Sequence, residues 1–219
     1  IYLPGHFAET RPPGFALRIP AGSYLQFQIH YSNRLGEEVK DQTSIGFVLA
    51  REPVKHEVKQ YEIWNNLFLI PPHEASHRVT SCSTLSKDVL AVAYTAHMHY
   101  RGKSMKTEAI YPDGRQEVLF HVPKYDFRWQ ETYFLKRQFI LPKGTKLVTT
   151  AYFDNSRNNP LNPDPSQTIR WGEPSNEEMM GFWLAFADTQ PVNMKPGTTT
   201  SQPTAAEESV AVKTKPAQP

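Results

Sequence analysis

Cysteine is nearly missing from this chain: Cys82 is the one cysteine in 219 residues. A single thiol forms no internal disulfide and cannot build a cysteine-based zinc site, so neither device holds the fold together. Excess charge of either sign is missing as well. The formal net charge is +2, which gives no electrostatic case for nucleic acid. Long apolar runs are absent: VLAVAY and GFWLAFA are of strand length, well short of the roughly 18 residues of a membrane span. No long segment repeats with the helical period. The GxSxG and HExxH motifs are missing, and so is any glycine-rich phosphate loop. Paired-carboxylate chemistry has no sequence signature of its own, and if the chain is an enzyme, metal chemistry is the best candidate. An initiator methionine is absent too, since the first residue is Ile1; the expectation is a processed chain or a piece of a longer one.

What is present is β-strand pattern. YLQFQIHY alternates, with Leu25, Phe27, Ile29 and Tyr31 on one side and His30 on the other. TSIGFVLA reads as a well-buried strand. From Tyr61 onward YEIWNNLFLI, VLAVAYTAHMHY, MKTEAIY, QEVLFHV, ETYFLKRQFIL, KLVTTAYF and GFWLAFA all read as strands, rich in β-branched and aromatic residues. Pro112-Asp113-Gly114 and Pro142-Lys143-Gly144 mark turns between them. The pattern predicts an all-β fold, an antiparallel jelly-roll sandwich. DNSRNNPLNPDPSQ reads as a turn-rich surface loop, with a cation held by Asp154, Asn158 or Asp164 as the alternative. From Pro191 the chain lacks aromatics and is dominated by Thr, Ser, Pro, Ala and Lys, so 191–219 is expected to be a disordered tail or linker.

Candidate metal ligands lie in AHMHYRG. Residues two apart on a strand point to one face, so His97 and His99 project side by side. Two imidazoles joined by a thioether select copper, Cu(I) above all, over zinc or magnesium. Met179 and Met180 in SNEEMMGFWLAF gain interest only in that company. His30 alone reads as an exposed strand histidine. His73 and His77 are four apart, but Pro71 and Pro72 exclude the helix that would give that spacing a meaning, so both stay unassigned. His121, in LFHVP, reads as packed or exposed.

The order QIHYSN, then HMHYRGK, then NEEMM resembles the copper type II, ascorbate-dependent monooxygenases, the family of dopamine β-monooxygenase and peptidylglycine α-hydroxylating monooxygenase. The resemblance covers roughly residues 1–190. HMHYRGK is similar to the family's His-Thr-His followed by glycine, and NEEMM to its Asp-Glu-Met-Cys. The resemblance implies two jelly rolls, each holding one copper across a solvent cleft. It implies His97, His99 and Met179 as ligands of the catalytic copper and His30 as a ligand of the electron-transfer copper. Met180 falls where the family often has cysteine, so Met179 is preferred. It further implies O2 activation, hydroxylation of an sp3 carbon of a small substrate, a reductant such as ascorbate, and an extracytoplasmic location, periplasmic or secreted.

Three departures qualify those expectations. The electron-transfer copper also takes an adjacent His-His pair, and upstream of His30 this chain has only His6. One complete copper site is therefore expected here, with the missing partner sequence on the same parent chain. The peptide-amidating members carry Arg, Asn and Tyr to grip a substrate carboxylate; Thr95, Gly181 and Trp183 stand at those positions, which argues against a peptide C-terminus as substrate. The animal members are disulfide-rich, so a single cysteine resembles the bacterial ones. The expected organisation is 1–54 as the end of the electron-transfer jelly roll, 55–190 as the catalytic jelly roll and 191–219 as the tail. The alternatives are a copper-binding or structural module without turnover, and a carbohydrate- or protein-binding sandwich using Trp64, Trp129 and Trp171.

Overall fold

The computed structural model describes residues 2–3, 5–29, 31, 38 and 40–192. Among them there are strands and no helix. In chain order the strands are β1 (Phe15–Ala16), β2 (His56–Glu57), β3 (Lys59–Trp64), β4 (Leu69–Ile70), β5 (His77–Thr84), β6 (Val89–His97), β7 (Gly102–Ile110), β8 (Gln116–Val122), β9 (Tyr133–Leu141), β10 (Lys146–Phe153), β11 (Ile169–Arg170) and β12 (Gly181–Asp188). Eight of them form a sandwich of two four-stranded sheets, ordered β5-β10-β7-β8 and β3-β12-β6-β9. Every pairing within these sheets is antiparallel. Counted along the chain, the eight strands lie as 2-7-4-5 in one sheet and 1-8-3-6 in the other.

Alternation explains how the sheets meet. In β7, Met105, Thr107 and Ala109 point inward and are buried, while Ser104, Lys106 and Glu108 point out. In β12, Phe182, Leu184 and Phe186 join Tyr94, Met98, Phe120, Leu141, Leu147 and Phe153 in one core between the sheets. The buried Thr107 and Thr149 hydroxyls satisfy each other at 2.9 Å, which avoids two unpaired polar groups in that core. The turns behave as their residues require: Gly114 and Gly144 have φ of 87° and 85°, where a side chain would be strained.

Three local expectations are corrected. The described residues of 24–31 and 43–50 are not strands, and their apolar side chains are exposed: Tyr24 fully, Phe27 at 52% and Phe47 at 47%. Alternation specifies which face would be buried, but among the described residues no strand pairs with either segment, so neither gains a ladder or a covered face there. Conversely, β5 is a strand despite the polar sequence HRVTSCST; it is a sheet edge that buries fully only Val79. Finally, β6 ends at His97, so His99 lies beyond the strand rather than within it.

The outer face of the β3-β12-β6-β9 sheet is covered at its centre, over β6 and β12. His97 pairs with Gly181 and Thr95 with Trp183, and these alternate with the core-facing pairs Ala96–Phe182 and Tyr94–Leu184. Over this face runs the N-terminal segment. The Thr132 hydroxyl donates to Glu9 Oε1 at 2.6 Å, and Phe7 meets Trp129 edge-on. At Gly5 an added Cβ would stand 2.5 Å from the Arg128 carbonyl oxygen, so the two backbones touch. Further along, β1 pairs in parallel with β2. Leu3, Val54, Val58 and Trp183 are buried here, outside the inter-sheet core.

Candidate metal centre

His97 and His99 are buried, at 6% and 4% exposure, and their ring centres stand 5.1 Å apart with planes at 81°. The expected juxtaposition is thus present although β6 stops between them. The reason lies in the intervening residue. The Tyr125 hydroxyl accepts the Met98 amide N–H at 2.9 Å and donates to the Met98 carbonyl at 2.6 Å. That clamp keeps the backbone extended past the last ladder pair. Burial raises the Tyr125 pKa well above the usual phenol value, so the donor proton stays on. Tyr125 reaches Met98 only because residue 102 is glycine: a Cβ there would lie 2.7 Å from the Met98 Cβ and the Tyr125 ring.

Each imidazole is oriented through Nδ1. His99 Nδ1 lies 3.2 Å from the Glu177 carbonyl oxygen, which can only accept, so Nδ1 carries the proton. His97 Nδ1 lies 2.6 Å from Gln130 Oε1. The Gln130 amide nitrogen donates to the Phe127 carbonyl at 2.7 Å, which fixes the amide with its oxygen toward His97. His97 Nδ1 therefore donates too. In both rings the lone pair is placed on Nε2, the tautomer in which a histidine ligates through Nε2. Burial lowers the His97 pKa, partly opposed by the Gln130 bond, so the ring favours its neutral form.

Glu178 is the second clamp. Its carboxyl is fully buried and accepts the His99 amide at 2.8 Å and the Arg101 amide at 2.6 Å. Burial pushes its pKa up to about 8, against the pull of those amides, the Arg101 charge and the Met179 amide. Arg101, also buried, donates from Nε to Asn155 at 2.9 Å and from Nη1 to the Asn176 carbonyl at 2.7 Å. The 154–167 loop supplies Asn155, which also donates to the Pro71 and Gln167 carbonyls. Its carboxylates cap their own turns: Asp154 takes the Ser156 amide, and Asp164 takes Ser166 and Gln167. The loop braces the site from behind, and nothing in it gathers the carboxylates around a cation.

Met180 and Met98 lie in the inter-sheet core, whereas the neighbouring Met179 is half-buried. Met179 stands two residues before Gly181, the ladder partner of His97, and neither Met179 nor His99 is itself part of that ladder. Trp64, Trp183 and Phe127 wall the site: His97 contacts both tryptophan rings and His99 the phenylalanine. Gly181 leaves room for Trp64, whose ring would be 2.5 Å from an added Cβ. Trp64 and Trp171 are half-buried, so of the tryptophans proposed as a binding surface only Trp129, at 54%, is well exposed. His73 sits in a loop at φ 60° and His77 begins β5, as the two prolines require. His30 lies outside the described residues. Among the described residues no three His, Cys, Asp or Glu side chains gather as a metal site.

Residues 60–209 match the family model described as copper type II ascorbate-dependent monooxygenase, C-terminal domain. The chain belongs to that family, through the domain that residues 60–209 match. A comparison with curated proteins found no match. Among solved structures, dimeric latent PorU from Porphyromonas gingivalis aligns at 10% identity, over 67% of this chain and 14% of that one, with a TM-score of 0.24; a likeness so slight carries no argument. No helix among the described residues is long and apolar enough to cross a membrane.

Proposed function

We propose that His97, His99 and Met179 hold one copper ion, and that residues 55–190 are the catalytic-copper domain of a monooxygenase that hydroxylates an sp3 carbon of a small substrate. The observation that carries this reading is the orientation of the two buried rings, each held through Nδ1 by an oxygen that only accepts. Two imidazoles sharing an ion through Nε2 at about 2 Å, at a tetrahedral angle, have ring centres roughly 5 Å apart. The observed 5.1 Å fits. Met179 adds a soft donor, suited to Cu(I). When bound, copper supplies O2 activation and hydrogen-atom removal from the substrate carbon, with electrons from a reductant such as ascorbate. The protein's own part is structural: Gln130 and the Glu177 carbonyl fix the tautomers, and Tyr125 and Glu178 fix the backbone between the ligands. Trp64, Trp183 and Phe127 keep bulk water from the ligand edges.

The strand order 1-8-3-6 against 2-7-4-5 supports a jelly roll as the finer description of the sandwich. We further propose an extracytoplasmic location, and residues 1–54 as the end of an electron-transfer jelly roll to which His30 contributes. A second reading, a copper-binding module without turnover, is favoured by the want of an adjacent His-His pair in this sequence.

Copper stoichiometry after reconstitution and dialysis tests the site. The chain should retain about one copper, lost in His97→Ala/His99→Ala and weakened as Cu(I) in Met179→Ala. Retention indifferent to these substitutions would leave only the fold in common with the family. Hydroxylation by a parent chain carrying a His-His pair would separate catalysis from binding alone.

A further inference from the structure

Phe127 and Gln130, which meet His99 and His97, lie in the connection between β8 and β9. The β6–β9 ladder stops at Tyr94–Tyr133, so among the described residues no rung of it reaches Thr95 or His97. Inside the connection the Trp129 amide donates to the Asp126 carbonyl at 2.9 Å and the Gln130 side-chain amide to the Phe127 carbonyl at 2.7 Å. Those bonds shape the turn without tying it to β6. The N-terminal segment presses on it from outside. A Cβ at Gly5 would stand 2.5 Å from the Arg128 carbonyl oxygen and 2.9 Å from the Trp129 Cα. Phe7 meets the Trp129 ring edge-on, with centres 6.0 Å apart. Glu9 accepts from the Thr132 hydroxyl at 2.6 Å, which leaves the Thr132 oxygen to accept from Thr95 at 3.1 Å. Thr95 is buried on the same face as His97, two residues on.

We propose that residues 5–9 belong to the metal centre: pressed on 126–132, they hold Gln130 where its oxygen keeps the proton of His97 on Nδ1. Gly5, Phe7 and Glu9 are positioning residues that act through Gln130. Displacing the segment frees the Gln130 oxygen and lets the proton pass to Nε2, which removes the lone pair from the ligating side of the ring. His99 is held from elsewhere, by the Glu177 carbonyl, and lies outside this control. The effect on the His97 ring needs no metal. Its effect on copper rests on the reading of His97 as a ligand.

Gly5→Ala in the full chain tests it, beside Gly22→Ala. Both glycines have positive φ, 91° and 78°, so both variants carry comparable backbone strain, but at Gly22 the new methyl meets nothing within 4 Å among the described residues. A third variant, Phe7→Ala/Glu9→Ala, removes the contacts without strain. Nitrogen-15 NMR of the metal-free protein at about pH 8.5, where histidine is neutral, reads the tautomers. Wild type and Gly22→Ala should show His97 and His99 both protonated on Nδ1. Gly5→Ala and the Phe7/Glu9 variant should move His97 toward a mixture of tautomers and leave His99 unchanged, whereas loss of the fold would move both. Copper affinity should fall about tenfold or more in these two variants and hold in Gly22→Ala. A His97 tautomer unmoved in both variants, or moved equally in Gly22→Ala, would overturn the proposal. A tautomer shift in a protein whose wild type retains no copper would instead overturn the ligand reading and uphold the positioning role.

Discussion

The two sheets of the sandwich share strand number and antiparallel pairing, yet their outer faces differ in kind. On β3-β12-β6-β9 the N-terminal segment roofs the centre of that face, where even the polar residues Thr95 and His97 are buried. On β5-β10-β7-β8 it is open, and charged side chains alternate with the core. A roofed face can hold polar groups in one orientation because every one of them needs a specified partner. An open face can bind, but its side chains are positioned by water as much as by protein. Rigid side-chain geometry therefore belongs on the first face and side chains free to move belong on the second.

The sharpest way to break this contrast is to remove the buried clamp. Glu178→Ala deletes the acceptor of two backbone amides and leaves Arg101 buried beside an empty space. We expect a stability loss of about 3–5 kcal/mol by urea unfolding, whereas Arg78→Ala on the open face should stay within about 0.5 kcal/mol. Equal effects would mean that the roofed site is no more rigidly built than the surface. Next in size is Gln130→Leu, which removes the acceptor that sets the His97 tautomer. Copper affinity should drop about 10–100-fold. Gly102→Ala should cost about 1–3 kcal/mol, because its Cβ drives Tyr125 away from Met98. In the copper-loaded protein it should also disturb the ligand-field spectrum, a change that Gly114→Ala, which meets no neighbour, should not produce.

How much of this is legible in sequence depends on what each residue leans against. The segments of β6, β10 and β12 stand out because their buried positions are apolar or β-branched. β5 does not, because an edge strand with one face in water can be spelled with Thr, Ser and Arg. Residues 24–31 mislead in the opposite direction: their alternation is real, but pairing is a property of neighbours and not of the segment. The spacing of His97 and His99 points to a shared face, and the structure brings the rings together. The groups that hold them were not visible. Gln130 and Tyr125 belong to no motif, and their roles arise from strand register and from the space left at Gly102. Glu178 had a signal, its place beside Met179 in NEEMM, yet spacing alone does not disclose a carboxyl turned back on the backbone of the histidine loop.

The smallest expected effect concerns pH. Burial holds the His97 pKa below its ordinary value of 6.5. In metal-free protein the unfolded chain therefore takes up this proton at a pH where the folded chain does not. The contribution of His97 to stability is complete above pH 6.5 and is lost as pH falls toward the folded pKa, with a slope of at most about 1.4 kcal/mol per pH unit. The informative quantity is the wild-type unfolding free energy minus that of His97→Gln. This difference should shrink on acidification. If it stayed flat instead, burial would not be setting the protonation of His97, and the proposed contrast between a roofed and an open face would fail at the residue where it matters most for ligand chemistry.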